Sequence, residues 1–430
     1  MVTGTEGHGP GATHAGTIPE WPTTLDIPAL IVGGWQPVPF REFVLKVHSR
    51  CDLACDYCYV YELADQTWRS QPRRMSREVV DQAALRIAEH VRAHDLHAVR
   101  LILHGGEPLL AGPALIEYAV RTVRDSVGPR TMVDASVQTN AVGLSPSYLD
   151  LFAELGVRVG ASLDGDAAAH DRHRRRAGGS GSHDLVRAGL ERLTEHPRRD
   201  ELFGGLLCTV DVRNDPVATY EALLEFSPPM IDFLLPHGNW TVPPPRRVPG
   251  EPVTPYADWL AAVFDRWYAA PERPTRVRLF GEMMHALLGG ASAAEALGLS
   301  PVAVVVIETD GSIELCDSLK SAFAGAAATG LHIARDAFDA ALRHPGVVAR
   351  QLGLAALSDE CRSCDVVRVC GGGHYAHRYR AGSGFFNQSV YCPDLLALIE
   401  HVGEAMRRDI DAVRHSRPDG LRSAAGRSRN

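Results

Sequence analysis

From Phe43 onward the chain alternates between short apolar runs and amphipathic stretches of helical period. The apolar runs fall at 43–47, 99–103, 132–137, 157–162, 206–212 and 233–235. Helical patterns separate them at 76–94, 113–126, 146–155, 184–195 and 216–226. Strand alternating with helix predicts parallel strands joined by right-handed crossovers. Six such strands predict an α/β fold, a partial (β/α)6 TIM-like barrel. In such a barrel the chemistry belongs at the C-terminal ends of the strands. With 430 residues, 45% of them hydrophobic, the chain can bury a sizeable core.

The remaining segments read differently. A flexible leader is expected over 1–37, the barrel over 38–245 and a helical linker over 246–300, with helices near 256–268 and 279–288. A cysteine-rich second region is expected over 301–400, then a C-terminal helix with a disordered tail over 401–430. The Asp310-Gly311 pair reads as a hairpin turn between runs at 302–307 and 312–315. The net charge of −8 and a pI near 6.2 argue against bulk nucleic-acid binding, which leaves a basic footprint. No apolar run is long enough to predict a membrane helix. The first residues lack the basic-then-apolar pattern of a secretory signal, so a cytoplasmic location is expected. In a reducing compartment clustered cysteines are metal ligands or catalytic groups more often than disulfides.

Nine cysteines are present. Cys51, Cys55 and Cys58 follow the first predicted strand in a Cys-x3-Cys-x2-Cys spacing. One loop can wrap such thiolates around an iron–sulfur cube. Clusters are ordinarily held by four thiolates, so three leave one iron open to chelate a small molecule. A closed zinc site would favour paired cysteines, with a second pair elsewhere.

Cys51, Cys55 and Cys58, with Tyr57 before the last, resemble the cluster motif of radical SAM enzymes. Gly105-Gly106-Glu107-Pro108, after the second strand, is similar to that family's methionine-binding turn. Two glycines expose backbone carbonyls, and Glu107 supplies negative charge for an ammonium. By the same resemblance Ser162, ending the fourth strand, contacts the SAM ribose, and Arg174 holds the SAM carboxylate, to which a guanidinium can donate two hydrogen bonds. Arg175 and Arg176 read as a solvated basic loop. Gln138, Thr139 and Asn140 end the third strand near either cofactor or substrate, with a turn role for Asn140 equally open.

Cys361, Cys364, Cys370 and Cys392 can satisfy a second cluster completely. This region resembles the SPASM extension of radical SAM peptide maturases. Two departures stand out. His374 occupies the place of a further cysteine after Cys370, and Gly311-x4-Cys316 lacks its usual upstream cysteine. One auxiliary [4Fe–4S] cluster is therefore expected beside the SAM-binding [4Fe–4S] cluster. Asp317 matches the proton-accepting aspartate of sulfatase maturases, and a turn-capping role is equally open.

Residues 234–240, 370–379 and 384–392 resemble FxsB-type maturases. That resemblance implies a ribosomally made precursor peptide as substrate and S-adenosylmethionine as source of a 5′-deoxyadenosyl radical. It further implies a bond from an aromatic ring to a side-chain Cβ, giving a three-residue cyclophane. An electron donor such as flavodoxin or ferredoxin is implied as partner. His237, Trp240, His377 and Tyr379 are candidates for the cavity wall. The peptide is expected to add as a strand to an open edge of the 302–315 hairpin. Thioether formation, epimerisation and formylglycine formation are rival modifications, and an iron–sulfur redox sensor is the non-catalytic rival.

Overall fold

The computed structural model describes residues 20–416 except Ala293. The six expected strands form as β1 (Glu42–His48), β2 (Ala98–Gly105), β3 (Met132–Thr139), β4 (Val157–Ser162), β5 (Phe203–Thr209) and β6 (Met230–Leu234). They pair in chain order, every pair parallel. Alternate residues on these strands, such as Val99, Leu101 and Leu103 on β2, are buried. The crossover helices cover the outside. The helix Arg77–Ala93 buries Val80, Ala83, Ala84, Ile87 and Val91, a stripe at helical spacing. Its start is set by Ser76, whose side chain accepts from the Val79 N–H. The helix Pro146–Leu155 begins with Pro at its first turn and stops at Gly156, which adopts the left-handed conformation (φ 59°). The fold is thus α/β with a parallel-dominated sheet, as the alternation predicted.

The sheet extends further than the six strands. β7 (Arg276–Val277) pairs parallel with β6. β8 (Val304–Ile307) pairs parallel with β1, and β9 (Ser312–Glu314) and β10 (Ala328–His332) continue antiparallel beyond it. One ten-stranded sheet therefore runs across the residue 300/301 division. The hairpin of β8 and β9 has no open edge: β1 covers one side and β10 the other. This corrects the expectation that a peptide adds there.

Residues 20–37, expected as flexible leader, carry a short helix (Ile27–Val32). The Trp21 ring lies 5.3 Å from that of Phe386, and its backbone bridges Gly384. A Cβ on Gly384 would meet the Trp21 carbonyl oxygen at 2.0 Å, so this approach needs glycine. A single tryptophan has no periodicity to read, and its packing partners are distant in sequence. The rest of the expected leader (1–19) and the end of the tail (417–430) lie outside the described residues. The helix Cys392–Ser416 packs on the helix Pro255–Tyr268, where His401 meets Asp265 at 2.6 Å. Among the described residues no helix is long and apolar enough to cross a membrane.

Candidate active site

The loop after β1 holds Cys51, Cys55 and Cys58, and all three line one cavity of about 190 Å³ at the C-terminal ends of the strands. A turn closes the loop, with the Cys58 N–H donating to the Cys55 carbonyl. The loop also pairs with the segment after Arg174, through Ala54 N–H to Arg175 O at 2.6 Å. Burial pushes the Cys55 thiol up to about 11 and raises Cys51 and Cys58 as well. Three buried thiols that resist ionisation by themselves suit an iron site, whose positive charge inverts that preference.

The other walls come from successive strand ends. Gly105 and Gly106 cross tightly behind the cysteine loop. A Cβ on Gly105 would lie 2.2 Å from the His48 carbonyl oxygen, and one on Gly106 2.5 Å from the Arg50 backbone. Glu107 is 1% exposed. Its Oε1 accepts from Leu109 N–H (2.9 Å) and Thr139 Oγ1 (2.7 Å), and its Oε2 from Asn140 N–H (2.8 Å). Burial pushes this carboxyl up to about 7 against those hydrogen bonds. Each carboxylate oxygen has about two acceptor sites, so Oε2 keeps one for a ligand ammonium. Gln138 Nε2 donates to Ser162 Oγ at 3.1 Å, and both face the cavity. Asn140 Nδ2 donates to Asp52 Oδ1 at 2.7 Å, steadying the cysteine loop.

Arg174 ends the helix Ala167–His173 and is the one member of its arginine run turned inward, while Arg175 and Arg176 are exposed. Its Nη1 donates to Tyr57 Oη at 2.8 Å, and Tyr57 Oη donates in turn to Asp164. Its Nε is buried without a partner. A buried guanidinium N–H left unpaired is costly unless a ligand oxygen meets it. The thiols, the glycine turn in the cavity wall, the spare Glu107 acceptor and the orphaned Arg174 donor together fit a cluster with S-adenosylmethionine bound to it.

Asp317 lies behind this cavity and is not among its lining side chains. It joins a buried network with Lys46 (2.9 Å) and Lys320 (3.5 Å). Lys320 also meets Glu308 (2.5 Å) and Glu314 (2.8 Å). Burial opposes ionisation of Asp317, but Lys46, Lys320 and His104 outweigh it and hold the carboxyl below its usual range. His104, one residue before the glycine pair, does line the cavity, and its Nδ1 is 3.9 Å from Asp317. Burial lowers its pKa below the usual histidine value, and Nδ1 has no hydrogen-bond partner. Sequence reasoning passed over His104. Its only signal was its place at the end of a barrel strand.

In the C-terminal region burial raises the Cys361, Cys370 and Cys392 thiols, and neighbouring thiols add to it: Cys364 at Cys361, Cys392 and Cys361 at Cys370, and Cys361 and Cys364 at Cys392. Gly371, Gly372 and Gly373 all adopt positive φ (61°, 80°, 68°), turning the chain sharply after Cys370. Arg378 holds that turn by donating to all three glycine carbonyls at 2.6–3.0 Å. Cys208 is buried in β5, away from both groups. A second cavity, of about 520 Å³, shares Leu234, Leu235 and His237 with the first, and His374, His377, Cys316 and Glu295 also line it.

Strand ends converge here on three thiols and on a cradle that offers groups for an anion and for a cation. Residues 45–220 match the radical SAM superfamily. The chain is 24% identical over 384 residues to the serine-type anaerobic sulfatase-maturating enzyme of Klebsiella aerogenes, covering 81% of this chain and 82% of that one. It is 22% identical over 376 residues to the cysteine-type enzyme of Clostridium perfringens, covering 84% and 96%. In fold it superposes on native anSMEcpe with bound AdoMet at a TM-score of 0.71 (20% identity, 87% of this chain and 99% of that one). It superposes on Streptococcus suis SuiB bound to precursor peptide SuiA at 0.54 (13% identity, 85% and 78%). These likenesses support an enzyme of radical redox chemistry, similar over residues 45–220 to the radical SAM superfamily, with S-adenosylmethionine and [4Fe–4S] clusters as cofactors.

Proposed function

We propose that this enzyme modifies a ribosomally made precursor peptide by joining an aromatic ring to a nearby side-chain Cβ, forming a three-residue cyclophane. One observation carries the reading: the three segments that resemble FxsB-type maturases meet in space beside the cofactor cavity. Trp240 Nε1 donates to Gln388 O at 2.6 Å, Tyr391 Oη to Pro236 O at 2.7 Å, and the Trp240 N–H to Tyr379 O at 3.0 Å. Those segments supply His237, His374 and His377 to the wall of the larger cavity, which suits a peptide side chain.

When bound on the cluster, S-adenosylmethionine supplies a 5′-deoxyadenosyl radical able to take hydrogen from an unactivated carbon. Cys51, Cys55 and Cys58 hold the cluster, and Cys361, Cys364, Cys370 and Cys392 hold the auxiliary one. Glu107 and the Gly105 and Gly106 carbonyls take the ligand ammonium, Arg174 takes its carboxylate, and Ser162 takes its ribose. Tyr57, itself held by Asp164, locks Arg174 in place. Ring closure leaves a proton to be removed. Asp317, clamped by two lysines, is a weak acceptor, so we assign that proton to the neutral His104 ring, with Asp317 stabilising the imidazolium that results. A cluster held by Cys361, Cys364, Cys370 and Cys392 would supply an acceptor for the electron that ring closure leaves, and an external donor of the flavodoxin or ferredoxin kind would resupply the first.

The sulfatase-maturating relatives favour a second reading, oxidation of a peptide serine or cysteine to formylglycine. One assay decides. The reconstituted enzyme is given S-adenosylmethionine, dithionite and candidate peptides under anaerobic conditions. A product lacking two hydrogens, with an uncleavable aromatic-to-Cβ link on fragmentation, supports the cyclophane. A product captured by hydroxylamine as an aldehyde overturns it.

A further inference from the structure

Three imidazoles converge where the barrel meets the C-terminal region. His237 follows β6, and His374 and His377 belong to the turn around the short helix Tyr375–Arg378. One ring nitrogen from each lies within 4.8 Å of the other two. The ring centroids are 5.3 Å (His237–His374), 5.3 Å (His237–His377) and 4.9 Å (His374–His377) apart. His237 Nδ1 and His377 Nε2 stand 3.3 Å from each other. Two nitrogens bound tetrahedrally to zinc at about 2.0–2.1 Å stand about 3.3–3.4 Å apart, so this pair is already at ligand spacing. His374 Nδ1 accepts from the Ala376 N–H at 3.2 Å, which fixes the orientation of its ring beside the other two.

We propose that His237, His374 and His377 bind one divalent first-row transition ion, of which zinc is the type, with a fourth position facing the larger cavity. The surroundings support an ion of positive charge. Glu295 Oε1 lies 3.8 Å from His374 Nε2 and is anchored by Arg350 at 2.5 Å. Cys316 Sγ lies 3.5 Å from Glu295 Oε2. Both departures from the SPASM-like pattern then share one cause: His374 and the solitary Cys316 border a mononuclear site instead of a second auxiliary cluster. The ion ties the segment after β6 to the cysteine-rich region, and it places a Lewis acid in the wall between the two cavities.

The test uses the anaerobic protein with its iron–sulfur clusters loaded. Zinc is added, excess is removed by gel filtration, and zinc, iron and sulfide are measured. A parallel sample takes cobalt, read by its visible ligand-field bands. One zinc per chain and a tetrahedral cobalt spectrum are expected in the wild type. His237→Ala and His377→Ala are expected to lose at least nine-tenths of the zinc with iron and sulfide unchanged. His374→Gln, at a half-buried position, is expected to weaken zinc retention while keeping the melting profile. A wild type that retains no zinc and shows no tetrahedral cobalt spectrum overturns the proposal, whatever the variants do. So does a His237→Ala/His377→Ala double variant that keeps both clusters and the full zinc content.

Discussion

On the proposed reading Arg174 and Glu107 hold the same ligand with opposite charges, and their chemistry differs. Arg174 stays charged at any working pH. Arg174→Lys removes the planar fork, and we expect S-adenosylmethionine to bind at least about tenfold more weakly, the loss of about one charge-assisted hydrogen bond. Equilibrium dialysis of the cluster-loaded enzyme measures it. Glu107 is different, because burial lifts its carboxyl to about 7. Its folded pKa lies above the unfolded value. Its stability contribution is therefore full below the ordinary carboxyl range and is lost as pH rises through about 7. Affinity for a ligand ammonium runs the other way, since only the ionised form attracts it. Binding should strengthen between about pH 6 and pH 8 in the wild type and stay flat in Glu107→Gln. A wild-type affinity that weakens over that window would contradict the role. At the proton-transfer step, His104→Asn should abolish crosslinked product while 5′-deoxyadenosine still forms. Asp317→Asn should lower product less. If Asp317→Asn alone stops the reaction, the aspartate is the base.

At the scale of elements, close backbone approach and buried charge set the tolerances. The turn after β2 passes under the cysteine loop, and Gly106→Ala drives a Cβ into the Arg50 backbone, which cannot move aside as a side-chain end can. Overpacking of that kind costs about 1–3 kcal/mol. The loss should appear as a lower Tm together with poor cluster retention. The β8–β9 region carries the opposite hazard. Lys320, 1% exposed, balances Glu308, Glu314 and Asp317. Lys320→Met leaves Glu314 without its lysine and Glu308 and Asp317 with Lys46 alone, and breaking a buried pair costs about 3–5 kcal/mol. Chemical denaturation should show that loss. A change below about 1 kcal/mol would mean water reaches the network.

Over the whole molecule, the proposed reading gives each of two cysteine groups its own cluster. Iron analysis of the reconstituted protein should give about eight irons per chain, and about four in Cys364→Ala/Cys392→Ala. The latter should keep the first cluster, because that loop is braced by Asn140 and the Arg174–Arg176 segment rather than by the C-terminal region.

Much of this was open to reading in the chain alone. The six strands and five crossover helices followed from apolar period, and β4 (Val157–Ser162) ends where the pattern stops, because the periodicity of a buried strand or helix face is local. The cysteine triplet, Gly105-Gly106-Glu107 and Arg174 were legible for a related reason. Each is a compact motif whose residue types answer one chemical demand. Tertiary structure alone decided the rest. It laid β8 beside β1 across some 260 residues of chain, packed Trp21 on Phe386, and set His104 against the cavity and Asp317 behind it. It also gathered His237 with His374 and His377. Contacts between residues so far apart depend on how finished elements pack, and no local period or spacing encodes that.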